Sequence, residues 1–156
     1  MSQPIRIAAR AVILDQRGIL LTENRDDQGT FYLCPGGGQL HGETLVQTLL
    51  RECREEIGVE VDVGDLLFAR DYVGVHHEFA ATEPEVHQVE LYFLCRLASG
   101  NPPTAGDAPD AWQTGVRWVS IEDLDRVRLY PAALLEPLRS LARGESVGPT
   151  YLGDVN

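Results

Sequence analysis

Residues 37–59 read GGQLHGETLVQTLLRECREEIGV, and the second half of that stretch decides how the chain around it folds. At roughly 100° per residue along a helix, Leu45, Val46, Leu49, Leu50, Cys53 and Ile57 form one apolar arc. Glu52, Glu55 and Glu56 stand at i, i+3 and i+4, so their carboxylates share one flank. Glu56 falls inside the arc, between the directions of Leu45 and Leu49. Glu52 lies at its edge and Glu55 further round toward solvent. Three adjacent like charges repel one another, and a carboxylate on a core-facing stripe carries a large desolvation cost. A divalent cation at the helix margin offsets both, and hard oxygen donors suit magnesium or manganese. The competing reading is a solvated acidic helix with Arg51 and Arg54 as charge partners.

The flanks favour the cation. Gly36, Gly37 and Gly38 follow Pro35, and Gly42 precedes Glu43. A glycine-rich loop entering a helix N-terminus lets backbone groups approach phosphate or metal. Gly58 sits where a helix ends. Taken together, Gly37, Glu43, Arg51, Glu52, Cys53, Arg54, Glu55, Glu56, Ile57, Gly58 and Val59 resemble the Nudix box, and every fixed position matches. Cys53 fills an apolar slot as a small hydrophobe. The segments Phe31 to Gly37 and Trp118 to Leu124 also look like that family.

That resemblance implies an α/β fold, an α/β/α sandwich with a mixed sheet. It also implies metal-dependent hydrolysis of a nucleoside diphosphate linked to another moiety. In that reading Glu55 and Glu56 are metal ligands, and Glu52 is a third ligand or the general base. The Gly37 carbonyl is a backbone ligand, and Arg51 orients the glutamates. Glu43 binds metal through water or pairs with an arginine. The cofactor is Mg2+ or Mn2+. Many relatives in the family are dimers, so a homodimer is a possible assembly.

Size and charge bound the alternatives. The chain has 156 residues, 44% hydrophobic, with a net charge of −11 and a pI near 4.7. One domain over residues 1–143 is expected, with a tail over 144–156. The acidity opposes binding to nucleic acid or to an anionic membrane surface, but not to a small phosphorylated substrate beside a cation. Cys34, Cys53 and Cys95 have no metal-ligand spacing and read as free thiols in a reducing compartment. No secretory leader or bilayer-length apolar run is read, so the expected location is cytoplasmic.

Outside the helix, expected over 43–57, strands are read at 5–14, 19–22, 31–33, 59–75 with a kink at Gly64 and Asp65, 88–97, and 116–119. In the 88–97 strand, Val89, Leu91, Phe93 and Cys95 share one face; Gln88, Glu90, Tyr92 and Leu94 share the other. Loops are read at 24–30, 76–86 and 99–113. Ser120 caps a short helix, and a helix follows over 131–141.

Further substrate contacts are assigned from residue type. Arg10, Arg25 and Arg70 are candidate clamps for phosphate or ribose. The Gly36 backbone is a phosphate contact. Tyr32, Phe31 and Trp112 are candidate base-stacking rings, and Glu90 or Tyr92 touches substrate if its strand face lines the pocket. His76, His77, Glu78, Glu83, Glu85 and His87 could add a ligand or a base. The 76–86 and 99–113 loops, if free to fold over an extended ligand, favour ADP-ribose or another nucleotide sugar. The alternatives are a nucleoside triphosphate, oxidised ones included, and a Nudix-fold sensor without chemistry. The intact Glu52, Glu55 and Glu56 argue against the sensor.

Overall fold

A computed structural model describes residues 3–98 and 100–156. In order, the elements are β1 (Arg6–Asp15), β2 (Gly18–Asp26), β3 (Gly29–Leu33), β4 (Gly36–Gly38), α1 (Leu45–Ile57), β5 (Val61–Val73), β6 (His87–Leu97), β7 (Gln113–Val119), α2 (Leu135–Ala142) and β8 (Tyr151–Asp154). The main sheet runs β3-β2-β1-β6-β5-β8, with β4 on β1 and β7 on β2. The β1/β6 and β5/β8 pairs are parallel and the others antiparallel, so the sheet is mixed.

Strand alternation gives each face its own core. Ala9, Ala11 and Ile13 of β1 pack with Leu20, Cys95 and the α1 residues Leu49, Cys53 and Ile57. Val12 points the other way, toward Ile19, Leu21, Phe68, Tyr92 and Leu138 of α2. The sheet therefore lies between two helical layers, as expected. Cys34, Cys53 and Cys95 are all free and buried. Among the described residues no helix is long and apolar enough to cross a membrane.

Local chemistry sets the helix limits. Thr44 is the N-cap: its hydroxyl accepts from the Gln47 N–H, and the Gln47 side chain accepts from the Thr44 N–H. This reciprocal pair starts α1 at Leu45, two residues later than the sequence reading. Gly58 ends it in the left-handed conformation at φ 67°. Val46, assigned to the apolar arc, is left 43% exposed because the sheet does not reach that side.

Several segments depart from expectation. The 24–30 loop is mostly strand, since β2 continues to Asp26 and pairs with β3 from Thr22↔Leu33 to Asp26↔Gly29. The glycine run forms β4 against Ala8, Ala9 and Arg10. The first hairpin forms at Asp15↔Gly18 and Leu14↔Ile19, after which its strands part; β1 takes β4 and β2 takes β7. The β5/β6 register shifts around Val63–Leu66, where a kink was read. Ser120 makes no cap; its hydroxyl donates to Asp123 at 3.0 Å. The 131–141 helix opens with a 3-10 turn, so α2 starts at Leu135 and Pro137 falls in its first turn, where no donor is needed.

Two corrections concern chain that was read as loose. The final segment carries β8, with Ala69 N–H donating to the Thr150 carbonyl and Val155 N–H to that of Asp71. The 99–113 loop, whose Ser99 lies outside the described residues, docks on the C-terminal end of α1. N–H groups of Thr104, Gly106 and Ala108 donate to the carbonyls of Ile57, Glu56 and Glu55. These are carbonyls that the helix itself leaves unpaired. Gly106 is required by close approach, since a Cβ there would stand 2.1 Å from the Glu55 carbonyl oxygen. Gly106→Ala should therefore undock the loop while the sheet persists. Amide hydrogen exchange should accelerate at Thr104, Gly106 and Ala108 and not in β1 or β6.

Candidate active site

The site lies where α1 meets the β4 loop. Glu56 is 3% exposed, and its Oε2 accepts from the Gly36 N–H at 2.9 Å. Burial pushes its carboxyl up to about 8, against the opposing pull of Arg10 and of the Gly36 N–H. The Gln113 side-chain amide donates to the Glu56 carbonyl at 2.7 Å. Sequence reasoning missed this contact, because a glutamine at the end of a polar loop carries no distinguishing signal.

Arg51 organises the other carboxylates. Its Nε and Nη2 bond Glu43 at 2.7 and 3.0 Å. Its Nη1 reaches Glu52 at 2.8 Å and Glu55 at 3.3 Å, and Nη2 also donates to the Gly38 carbonyl. These bonds hold the Glu43 carboxyl at about 2, below its ordinary 4.5. Arg51 thus bonds three carboxylates of the box, and Glu43 pairs with it through both oxygens.

Among the described residues no three His, Cys, Asp or Glu side chains stand together as a ready-made metal cage; Arg51 holds Glu52 and Glu55 instead. Two observations still fit a divalent cation. The donors are oxygen only, the chemistry magnesium and manganese prefer. The Glu52 carboxylate also occupies the space above Gly37, where a Cβ would stand 2.5 Å from its Oε1.

The other assigned residues are placed less uniformly. Arg10 does not face open solvent: Nη1 donates to the Gly36 carbonyl at 2.9 Å and to that of Cys34 at 3.3 Å. Glu90 is 2% exposed and takes four donors: Arg10 Nε, Arg70 Nε, Gln88 Nε2 and the Tyr92 hydroxyl. Both of its oxygens are filled, which corrects its assignment to substrate. Gly36 lends its N–H to Glu56, so that group is not free for phosphate. Tyr32 is 5% exposed, with its hydroxyl on Glu23 and Arg117; its ring belongs to the core and offers no stacking face. Arg25 is exposed. Trp112 is 65% exposed, and its carbonyl accepts from the Arg25 N–H. Phe31 packs edge-on against Tyr130, as does Phe79.

The 76–86 region bonds β5 and β8 through its polar side chains, while its Phe79 reaches Tyr130. His76 and His77 each bond Asp154 at 2.6 Å. Glu83 accepts from the Tyr72 hydroxyl, Glu85 from Gln3, and His87 lies 3.4 Å from Asp71.

With this geometry, comparison with known proteins is informative. Residues 4–139 match the model of the NUDIX domain. A curated relative from Enterobacter sp. (strain 638), "Nucleoside triphosphatase NudI", is 27% identical over 129 residues, covering 80% of this chain and 88% of its own. A NUDIX hydrolase structure from Nitrosomonas europaea matches with a TM-score of 0.72 at 17% identity, covering 92% of both chains. An ADP-ribose pyrophosphatase structure from Streptococcus suis 89-1591 matches with a TM-score of 0.56 at 22% identity and 81% coverage of both. The chain belongs to the NUDIX family. It is a Nudix hydrolase, an enzyme of phosphoric anhydride bonds.

The Glu90 cluster yields a pH signature. Burial alone would raise the Glu90 carboxyl, but Arg10 and Arg70 outweigh it and bring it from 4.5 to about 2. A depressed carboxylate stabilises the fold above its unfolded value, and the contribution disappears as pH falls through the folded one. The difference in urea midpoint between the native protein and Glu90→Gln should be full at pH 7 and shrink between about 4.5 and 2. A difference that does not change with pH would contradict the ion cluster.

Proposed function

We propose that this hydrolase is a metal-dependent nucleotide pyrophosphohydrolase whose substrate is a nucleoside triphosphate, cleaved to the monophosphate and pyrophosphate. The observation that carries the reaction is the α1 flank on which Glu52 and the buried Glu56 meet the glycine loop, with Glu55 beside them on Arg51. In this reading Glu52, Glu55, Glu56 and the Gly37 carbonyl hold magnesium or manganese. A cation bound there neutralises bridged phosphates and lowers the pKa of its water. Arg51 keeps Glu52 and Glu55 turned to one side. Glu52 is a third ligand or the acceptor of the water proton.

The substrate assignment departs from the nucleotide-sugar expectation on one physical ground. That expectation needed two loops free to close over an extended ligand. Instead, 104–108 is tied to the α1 terminus and the 76–86 region to Asp154 and Tyr72. A compact triphosphate needs no such closure, and a triphosphatase name on the 27% identical relative supports the same reading. A two-part substrate such as ADP-ribose is the second reading. The exposed Trp112 ring favours it, because it stands beside Gln113 and is open to stack a base. Three buried thiols suit a reducing, cytoplasmic setting.

A substrate panel with magnesium or manganese decides between these readings. Triphosphates should give monophosphate and pyrophosphate with a higher kcat/KM than ADP-ribose gives AMP and ribose phosphate. Activity should vanish in excess chelator, and activity that persists would remove the metal reading.

Substitution tests the site itself. Glu55→Gln and Glu56→Gln should each lower kcat by about a hundredfold or more while remaining folded, the cost of one lost transition-state contact. Gly37→Ala, which collides with Glu52, should weaken Mn2+ binding in a calorimetric titration. Unchanged Mn2+ affinity in all three variants would place the metal elsewhere.

A further inference from the structure

We infer that Arg10, Glu90 and Arg70 form a positioning cluster through which Val155 and Asn156, the residues that follow β8, hold the Gly36 backbone against Glu56. This deepens the metal-site reading above and rests on it. The connection is continuous. The Val155 carbonyl accepts from Arg70 Nη1 at 2.5 Å, and Asn156 Oδ1 accepts from the same nitrogen at 3.2 Å. Arg70 Nε donates to Glu90 Oε2 at 2.7 Å, and Arg10 Nε donates to Glu90 Oε1 at 2.9 Å. Arg10 Nη1 donates to the Gly36 carbonyl, and the Gly36 N–H donates to Glu56. Gly36 is therefore held at both ends, by an arginine on one side and a carboxylate on the other.

Stability alone is a poor reason for such a cluster. Side-chain exposures of 15% for Arg10, 7% for Arg70 and 3% for Glu90 mean that three charges have left water. The desolvation cost of buried ion pairs commonly cancels their attraction, and apolar replacements of similar volume often serve as well. What an apolar core cannot supply is direction. A guanidinium is a rigid planar fork, so fixing Nε on Glu90 also fixes where Nη1 points. Glu90 orients two such forks at once, one toward Gly36 and one toward Val155.

The far end of the connection belongs to a segment outside the NUDIX match, which ends at residue 139. There β8 is secured to β5 by side chains as well as backbone. Asp154 accepts from the Val73 N–H and bonds His76 and His77, and the Tyr151 hydroxyl donates to Asp71. Arg70 is the side chain that carries this docking inward to Glu90. The residues after β8 thus serve the site without touching it.

The test removes the outer end and reads the inner one. Three variants suffice: deletion of residues 155–156, Arg70→Lys, which keeps charge but loses the fork, and Asn156→Ala. The readouts are the exchange rate of the Gly36 amide by NMR, the Mn2+ dissociation constant by calorimetry, and kcat against KM on the best triphosphate. The deletion and Arg70→Lys should accelerate Gly36 exchange and weaken Mn2+ binding, each by about tenfold, the scale of one hydrogen bond to a charged group. kcat should fall while KM for the nucleotide holds. Asn156→Ala, which leaves the Val155 carbonyl in place, should show a smaller change of the same sign.

Folded variants with native Gly36 exchange would overturn the proposal and leave the cluster merely structural. If Gly36 exchange accelerates while neither these variants nor Glu56→Gln alter Mn2+ binding, the metal reading has failed and the positioning has not. Should the deletion fail to fold, Arg70→Lys and Asn156→Ala decide on the same readouts.

Discussion

A single carboxylate taken out of water organises this molecule. Glu56 stands on the core-facing side of α1, and the Gly36 N–H is the partner that its Oε2 finds. An isolated buried carboxylate is costly, so the bond requires the glycine loop to come to the helix. For that to happen β4 must pair with β1, and β1 must separate from β2 to admit it. The loop after β6 then returns to cover the α1 terminus, with Gln113 on the Glu56 carbonyl. Small aliphatic residues at Ala9 and Ala11 let the helix lie close to the sheet beneath this junction.

Features that depend on local period were legible in the sequence. The apolar arc of α1, the burial of Glu56 and the two faces of β6 all follow from residue spacing along one element. The kink at Gly64 and Asp65 is likewise local. What escaped was pairing between distant segments. β8 is held by backbone bonds and a few polar side chains, so the apolar pattern of 151–154 gives little warning of it. Glu90 was read as a possible substrate contact because its neutralising partners lie 20 and 80 residues away. Tyr32 looked like a free ring for the same reason, since its cover comes from α2 and the segment before it. The 99–113 loop has a loop's composition, yet its backbone donors find the open carbonyls of a helix end.

The arginines of this acidic chain are placed where its carboxylates crowd. The net charge is −11, but the arginines are not spread evenly against it. Arg51 gathers Glu43, Glu52 and Glu55 on one side of the box. Arg10 and Arg70 share one glutamate, which leaves an excess positive charge buried next to the Gly36 loop. The same loop also meets Glu56 and Glu52, so arginines and carboxylates alternate around it. Arg51 also bonds Glu52 and Glu55, so a cation drawing on those oxygens would compete with it.

The three cysteines give the fold an internal clock. Burial raises Cys34 and Cys95 to about 12, and Cys53 also lies far above a free thiol. The thiolate is the reactive form, so each sulfur is silent toward alkylating reagents while its surroundings stay closed. Cys34 belongs to the core under α2, whereas Cys53 and Cys95 belong to the core under α1. Labelling that strikes Cys34 first would mean the α2 layer lifts before the rest. Labelling of all three at one rate would mean that both layers are lost in a single cooperative opening.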